Sequence, residues 1–309
     1  MNTTTRMNVA VVQMTSVNEQ RANEMAIFAA LRDIEAKSVD LVVFPENVWY
    51  LRLVDGEMLP DFSLATEFHQ QVQAWVDQHA CAVIFGAVPV TAIPGGHSGG
   101  VNGKITSSVK PFSATAIFEP GRSWHVPYTK VHLFDVDVTG HKPVRESDHL
   151  APGSGARVWE YRGWKFGCAI CYDVRFAELF SLYAAKEVDA LFLPSAFLVP
   201  TGRQHWEILV RARAIESQVY MLAPAQSGDH VDHTGKTTAV RKTYGRSMIV
   251  DPWGRILAAA QAERSGTEIL ISEMNREEIA KVRVQIPMKD HRRLLENENR
   301  EVTAKGSAQ

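Results

Sequence analysis

Cys171 is the residue in this chain that most invites chemistry. It ends the apolar run Gly167-Cys168-Ala169-Ile170-Cys171 and precedes Tyr172-Asp173-Val174-Arg175-Phe176-Ala177-Glu178-Leu179. The run reads as a strand, and the next residues read as a helix over Val174–Lys186 with Asp173 as its N-cap. A thiol at such a turn stands at the carboxyl end of a strand, where α/β sheets place their ligands. A helix N-terminus favours an anion, so it would lower the thiol pKa. Backbone N–H groups just beyond it can receive a developing oxyanion. The competing reading is a small buried hydrophobe, the common fate of a free cysteine.

A thiol nucleophile needs a base. No histidine occupies a special position, but Glu46 does. It comes after the apolar strand Leu41–Phe44 and Pro45, again at a strand's carboxyl end. A carboxylate there is partly desolvated, which suits a general base working near neutral pH. The competing reading is a strand-end glutamate facing water. Pattern alone does not single out Lys130 or Glu146.

Other motifs fail on inspection. Gly235-Lys236-Thr237 resembles the end of a phosphate loop, but the leading position is His230 and no strand is read before it, so a turn is the better reading. Gly153-Ser154-Gly155 lacks the third glycine of a dinucleotide fingerprint, because position 158 is Val. The chain has 11 histidines, but His125, His132, His141 and His149 are too widely spaced for a ligand pair on one helix face. No metal and no cofactor are expected. Cys168 and Cys171 form a lone Cys-x-x-Cys with no second ligand pair. A redox or zinc site there is the minor alternative.

Alternating elements must position these groups. Met7–Met14, Asp40–Phe44, Cys81–Val90, Phe112–Phe118, Trp164–Ile170, Asp189–Leu193, Val219–Ala223, Ser247–Val250 and Thr267–Ile271 read as strands. Glu19–Lys37, Leu64–His79, Arg203–Ser217 and Arg276–Arg283 read as helices. Thr201-x-x-Gln204 has the form of a capping box for the third of these. The rhythm indicates an α/β layered fold. Pro94–Ser108 reads as a loop and Asp135–Gly155 as a long irregular excursion, a type that is often functional. The expected organisation is one domain over 1–290 and a polar tail over 291–309.

Composition narrows the classes. Hydrophobic residues make up 45% of 309, enough for a large core, and the net charge is −2. A strongly basic nucleic-acid binder is therefore excluded. The longest apolar stretch, Cys81–Pro94, is too short to span a membrane and contains proline. Three cysteines cannot make a disulfide scaffold, and the start lacks a secretion signal's apolar core. Both point to a reduced, cytoplasmic protein.

Three spaced motifs stand in a telling order: Phe44-Pro45-Glu46-Asn47, Tyr128-Thr129-Lys130-Val131-His132-Leu133-Phe134-Asp135, and the run from Cys171 to Glu178. With Pro194–Phe197, Thr201–Glu216 and Tyr244–Gly254, the chain resembles the nitrilase (carbon–nitrogen hydrolase) superfamily from about residue 7 to 290. The later runs look most like its Nit branch, which contains ω-amidase and deaminated glutathione amidase.

The resemblance implies a four-layer α-β-β-α sandwich and a Glu46, Lys130, Cys171 triad. Glu146 matches a further family glutamate that positions substrate or Lys130; its competing reading is a surface loop residue. Cys171 would attack an amide carbonyl, Glu46 would shuttle the proton, and Lys130 with the Tyr172 backbone N–H would hold the oxyanion. Water would then hydrolyse the thioester.

The implied substrate is a small amide bearing a carboxylate, bound by Tyr172, Arg175, Phe197 and Thr201. The Arg175 guanidinium would clamp the acid. Its competing reading is a structural pair with Asp173 or Glu178. A homodimer or larger assembly is expected, because Phe176, Phe180 and Trp206 make two helices too apolar for free surfaces, unless they bury against their own sheet. Cys171-Tyr172-Asp173 is unlike the Cys-Trp-Glu run of true nitrilases. The rival readings are an N-carbamoyl amino acid amidohydrolase, a nitrilase and a catalytically silent scaffold. Thr129, Phe112-Ser113-Ala114 and the long stretches 94–110 and 229–242 depart from the family pattern. The long stretches leave the substrate open.

Overall fold

The apolar run at the start of the chain becomes β1 (Arg6–Gln13) in the computed structural model, which describes residues 4–54, 57–93, 110–137 and 143–293. Next come α1 (Gln20–Glu35), β2 (Leu41–Phe44), α2 (Thr66–His79), β3 (Ala82–Val90), β4 (Phe112–Glu119) and β5 (Arg122–Thr129). The irregular excursion contains a short pair, β6 (Asp135–Val136) and β7 (Val144–Arg145), and the 3-10 turn Glu146–Asp148. The expected loop Pro94–Ser108 lies outside the described residues.

The second half supplies β8 (Val158–Tyr161), β9 (Trp164–Cys168), α3 (Ala177–Ala185), β10 (Ala190–Phe192), α4 (Val199–Thr201), α5 (Glu207–Ser217) and β11 (Tyr220–Ala223). Then come β12 (Ser227–Val231), β13 (Val240–Tyr244), β14 (Met248–Val250), β15 (Ile256–Ala259), β16 (Glu268–Asn275), α6 (Arg276–Gln285) and α7 (Met288–His291).

Two six-stranded sheets result, ordered β16-β1-β2-β3-β4-β5 and β15-β14-β11-β10-β9-β8. Strand alternation sets the layers. Val9, Val11, Leu41 and Val43 belong to the core between the sheets, which also holds β9, β10 and β11 side chains. Their neighbours Ala10, Val12, Val42 and Phe44 face the opposite way, onto Ile27, Leu31, Val72 and Trp75 of α1 and α2. Period-two alternation with both faces apolar means both faces are covered, so these strands read as unbroken hydrophobic runs. On the far side, Leu179, Phe180, Val210 and Ala214 of α3 and α5 cover the second sheet. The architecture is the four-layer α-β-β-α sandwich.

Several local expectations need correction. Helix α3 starts at Ala177, not Val174, and Asp173 is not its N-cap. Thr201 and Gln204 form no capping box; the Thr201 hydroxyl donates to the Leu198 carbonyl at 3.2 Å. A π-helical turn, Gly202–Trp206, joins α4 to α5. A strand does precede Gly235: the stretch 229–242 is mostly the β12–β13 hairpin. Phe180 and Trp206 are fully buried in their own chain's core. Of the expected tail, 294–309 lies outside the described residues, while Arg292 donates to the Glu216 carbonyl at 2.6 Å.

Candidate active site

Four chain segments converge beyond the carboxyl ends of β2, β5, β7 and β9. They bring Glu46, Lys130, Glu146 and Cys171 together. The Lys130 ammonium is fully buried, 3.1 Å from Glu46 Oε1 and 3.0 and 2.8 Å from the two Glu146 oxygens. Its three N–H bonds thus meet three carboxylate oxygens. Burial alone would lower the Lys130 pKa, but the charges of Glu146 and Glu46 outweigh it and hold it well above the usual lysine range. Glu146 is itself aimed by the Phe134 backbone N–H, which donates to Oε2 at 2.8 Å.

The Cys171 thiol shares its cavity with the Glu46 carboxylate and with Ala196. Burial first, and then the Glu46 charge, push the thiol well above its ordinary range, against the pull of Lys130. This overturns the expectation of a lowered pKa. The cause is local: Cys171 begins a 3-10 turn, Cys171–Arg175, so the α-helix starts too far away for its N-terminal field to act there. In the resting site the sulfur is held as a thiol, beside the Glu46 carboxylate. The sharp turn expected around Cys171 is present, with this residue in the left-handed region at φ +48°.

The turn is held by residues whose roles are not visible in the sequence. The Asp173 carboxylate is buried and accepts from the Ile170 N–H at 2.9 Å, the Tyr128 hydroxyl at 2.7 Å, the His132 N–H at 3.0 Å and His132 Nδ1 at 2.7 Å. Tyr128 and His132 flank Lys130 by two residues on each side. Asp173 therefore clamps the Cys171 turn to the lysine segment. Polar residues at 128, 130 and 132 share one face of an extended chain, and that spacing was the available signal.

Glu46 is fixed from two directions. A bulge in β3 at Gly86–Ala87 presents the Ala87 carbonyl to the Asn47 N–H at 3.2 Å. From the other sheet, Gln226 Nε2 donates to the Glu46 carbonyl at 2.9 Å and to Ser16 Oγ at 2.7 Å. A Cβ on Gly86 would fall 1.9 Å from Pro194 Cβ, so only glycine lets the sheets approach here. The Pro194 carbonyl in turn accepts from the Cys171 N–H at 2.9 Å.

Tyr172, Arg175, Phe197 and Thr201 join Glu46, Glu146 and Cys171 around one cavity. Arg175 does not take the structural pairing with Asp173 or Glu178. Its guanidinium donates to His205 Nδ1 at 3.2 Å and lies 5.4 Å from the Phe197 ring centre. His205 sits on the π-helical turn, where Gly202 packs so tightly on Tyr244 that a Cβ would lie 2.3 Å from Tyr244 Cβ. Cys168 is fully buried, and burial raises its pKa. Among the described residues no three His, Cys, Asp or Glu side chains group as metal ligands.

Comparison with known proteins agrees with this architecture. Residues 8–284 match the carbon–nitrogen hydrolase family. The deaminated glutathione amidase of Synechocystis sp. (strain PCC 6803 / GT-S) is 33% identical over 290 residues, 92% of this chain and 97% of that protein. The omega-amidase NIT2 of Xenopus tropicalis is 39% identical over 186 residues, 60% of this chain and 64% of that protein. The C. elegans NitFhit structure aligns with a TM-score of 0.76 at 30% identity, covering 94% of this chain and 66% of that one. Saccharomyces cerevisiae Nit3, a member of branch 10 of the nitrilase superfamily, aligns with a TM-score of 0.68 at 28% identity, covering 92% and 95%. With a family match over residues 8–284, the fold of that family and a thiol–carboxylate–lysine cluster at its strand ends, this chain belongs to the carbon–nitrogen hydrolase family of the nitrilase superfamily and is a hydrolase acting on carbon–nitrogen bonds.

Proposed function

We propose that the protein is an amidase that hydrolyses a small carboxylate-bearing linear amide through a thioester on Cys171. Deaminated glutathione and the ω-amides of dicarboxylic acids are the leading candidates. The observation that carries this reading is the single cavity shared by the Cys171 thiol, two carboxylates and the Arg175 guanidinium. The names of the relatives support it.

The geometry suits a course in two stages, acylation and hydrolysis. Glu46 takes the thiol proton as sulfur bonds to the amide carbon. The oxyanion is stabilised by Lys130 and the Tyr172 N–H. Lys130 exchanges one of its Glu146 contacts to reach it, since all three of its N–H bonds are already engaged. Glu46 returns the proton to the nitrogen, the C–N bond breaks, and ammonia or an amine leaves. Water then gives a proton to Glu46, adds to the thioester and releases the acid, and the proton goes back to sulfur. Arg175 binds the substrate carboxylate with two parallel hydrogen bonds, beside Phe197 and Thr201.

We propose further that residues 1–290 act as one catalytic domain, in the cytoplasm, as a homodimer or larger assembly. The three cysteines are free, and one of them must be reduced to act. The apolar side chains that favour assembly are Leu182, Ile208, Ile215 and Trp253, all exposed.

A panel of succinamate, deaminated glutathione and an N-carbamoyl amino acid tests the reading. Hydrolysis of the first two, with an acyl adduct on the Cys171 peptide after acid quench, is the expected result. Absence of turnover on every amide, or preferred release of carbamate products, would overturn it.

A further inference from the structure

Beyond the inner cavity lies a vestibule of about 760 Å³. Phe134, Glu146, Leu198 and Arg241 border both spaces, while Arg175 and Thr201 border only the inner one. Two vestibule cations are committed to acids. Arg203 holds Glu263 with bonds of 2.7 and 2.6 Å, and Lys242 pairs with Asp229 at 3.2 Å. Arg241 is half-buried and has no ion pair or side-chain hydrogen bond among the described residues. A half-buried guanidinium that is not held in an ion pair is a ready site for an anion.

The hairpin presents Arg241 rigidly. Along β13, Arg241 and Thr243 share one face and Lys242 takes the other. Thr243 is fully buried and bonds His230 Nε2 at 2.7 Å, while His230 Nδ1 bonds the Ser16 carbonyl at 2.7 Å. The Tyr244 N–H donates to the Phe197 carbonyl at 2.9 Å. These bonds tie the strand that carries Arg241 to Phe197, which borders the inner cavity, and to Ser16, which Gln226 links to Glu46.

We propose that Arg241 receives a carboxylate on the amine side of the scissile bond. The favoured substrate is then an N-substituted amide whose leaving amine carries an acid group, as an amino acid or short peptide does. The assignment rests on the proposed amidase function. With the acyl-side acid on Arg175 and the carbonyl at Cys171, the nitrogen substituent extends across the shared border into the vestibule, where Arg241 stands.

The test compares kcat/KM for three substrates with one acyl group: succinamate, N-succinylglycine and N-succinylglycinamide. The wild-type enzyme should prefer N-succinylglycine over its neutral amide by about tenfold or more, the scale of one charge-assisted contact. Arg241→Gln should bring that ratio close to one, Arg241→Lys should leave it intermediate, and Lys242→Gln should keep it. Each ratio is internal to one protein, so a loss of folded enzyme cancels. If succinamate is hydrolysed but the wild-type ratio is near one, or the ratio survives in Arg241→Gln, the assignment is overturned and the amidase reading stands. If the wild-type enzyme hydrolyses none of the three, the assignment is overturned; if deaminated glutathione is also left intact, the amidase reading falls with it.

Discussion

At the residue scale, the site is organised around where a proton rests. The Cys171 thiol keeps its proton because burial and Glu46 both oppose the thiolate, and the same Glu46 is the proposed acceptor. Cys171→Ala should therefore abolish turnover and leave the far-UV spectrum unchanged; retention of most activity would exclude the thioester course. Glu146 contributes charge to Lys130 and does not touch the thiol proton. Glu146→Gln removes the larger of the two carboxylate influences that raise the Lys130 pKa. Lys130 should then lose its proton at lower pH, so the alkaline limb of the kcat/KM profile should move downward. The rate at its optimum should fall by about two orders of magnitude, the scale of one oxyanion donor. An unmoved alkaline limb would show that Glu146 acts on substrate alone.

At the element scale, the decisive contacts join segments that are far apart in sequence. Asp173 fastens the turn after β9 to the chain leaving β5 through three accepted hydrogen bonds and braces the turn itself with a fourth. Asp173→Asn turns one acceptor oxygen into a donor facing other donors. It should cost about 2–4 kcal/mol in urea unfolding, the scale of unsatisfied buried polar groups, and lower kcat as well. Unchanged stability would show that the carboxylate is not the clamp described. Gly86 plays the complementary part, since its missing side chain lets β3 approach Pro194 and the β10 end. Gly86→Ala places a methyl 1.9 Å from Pro194 Cβ, so one sheet must move. A loss of at least about 2 kcal/mol, with activity falling in parallel, is expected from such overpacking.

At the scale of the whole molecule, buried histidines make folding sensitive to acid. Burial lowers the His230 pKa to about 4, against the pull of the Ser16 carbonyl. An unfolded histidine titrates near 6.5, so between these values the unfolded chain binds a proton that the native protein refuses. Stability is then present in full above about pH 6.5 and declines as pH falls toward 4. Thermal melts of His230→Gln should show a shallower decline between pH 7 and 4.5, by roughly 2 kcal/mol. An identical slope would place the acid sensitivity elsewhere; His69, also lowered to about 4 by burial, is the next group to test. For the proposed assembly, light scattering at low micromolar concentration should return at least twice the mass of one chain. Ile208→Glu, on a side chain 69% exposed, should reduce it. A wild-type monomer would reject the assembly.

Glu46 and Cys171 were legible in the sequence because each comes after an apolar strand, and strand ends are where this class of fold gathers its chemistry. The alternating strands and helices, and with them the α/β class, were legible for the same reason: burial on both faces writes a continuous apolar run. Lys130 and Glu146 needed the family resemblance, since a buried charge has no local signature until its partners are known. Other features were decided only in three dimensions. The start of α3 moved because Asp173 found three donors across the fold, on Tyr128 and His132, a stronger use than capping one helix end. The stretch 229–242 became a hairpin because Thr243 and His230 anchor it to Ser16, more than 200 residues earlier in the chain. The thiol pKa rose because desolvation and a facing carboxylate outweigh a helix terminus that the actual turn holds away. Each of these depends on distances between segments remote in sequence, and no local pattern of residue types encodes such distances.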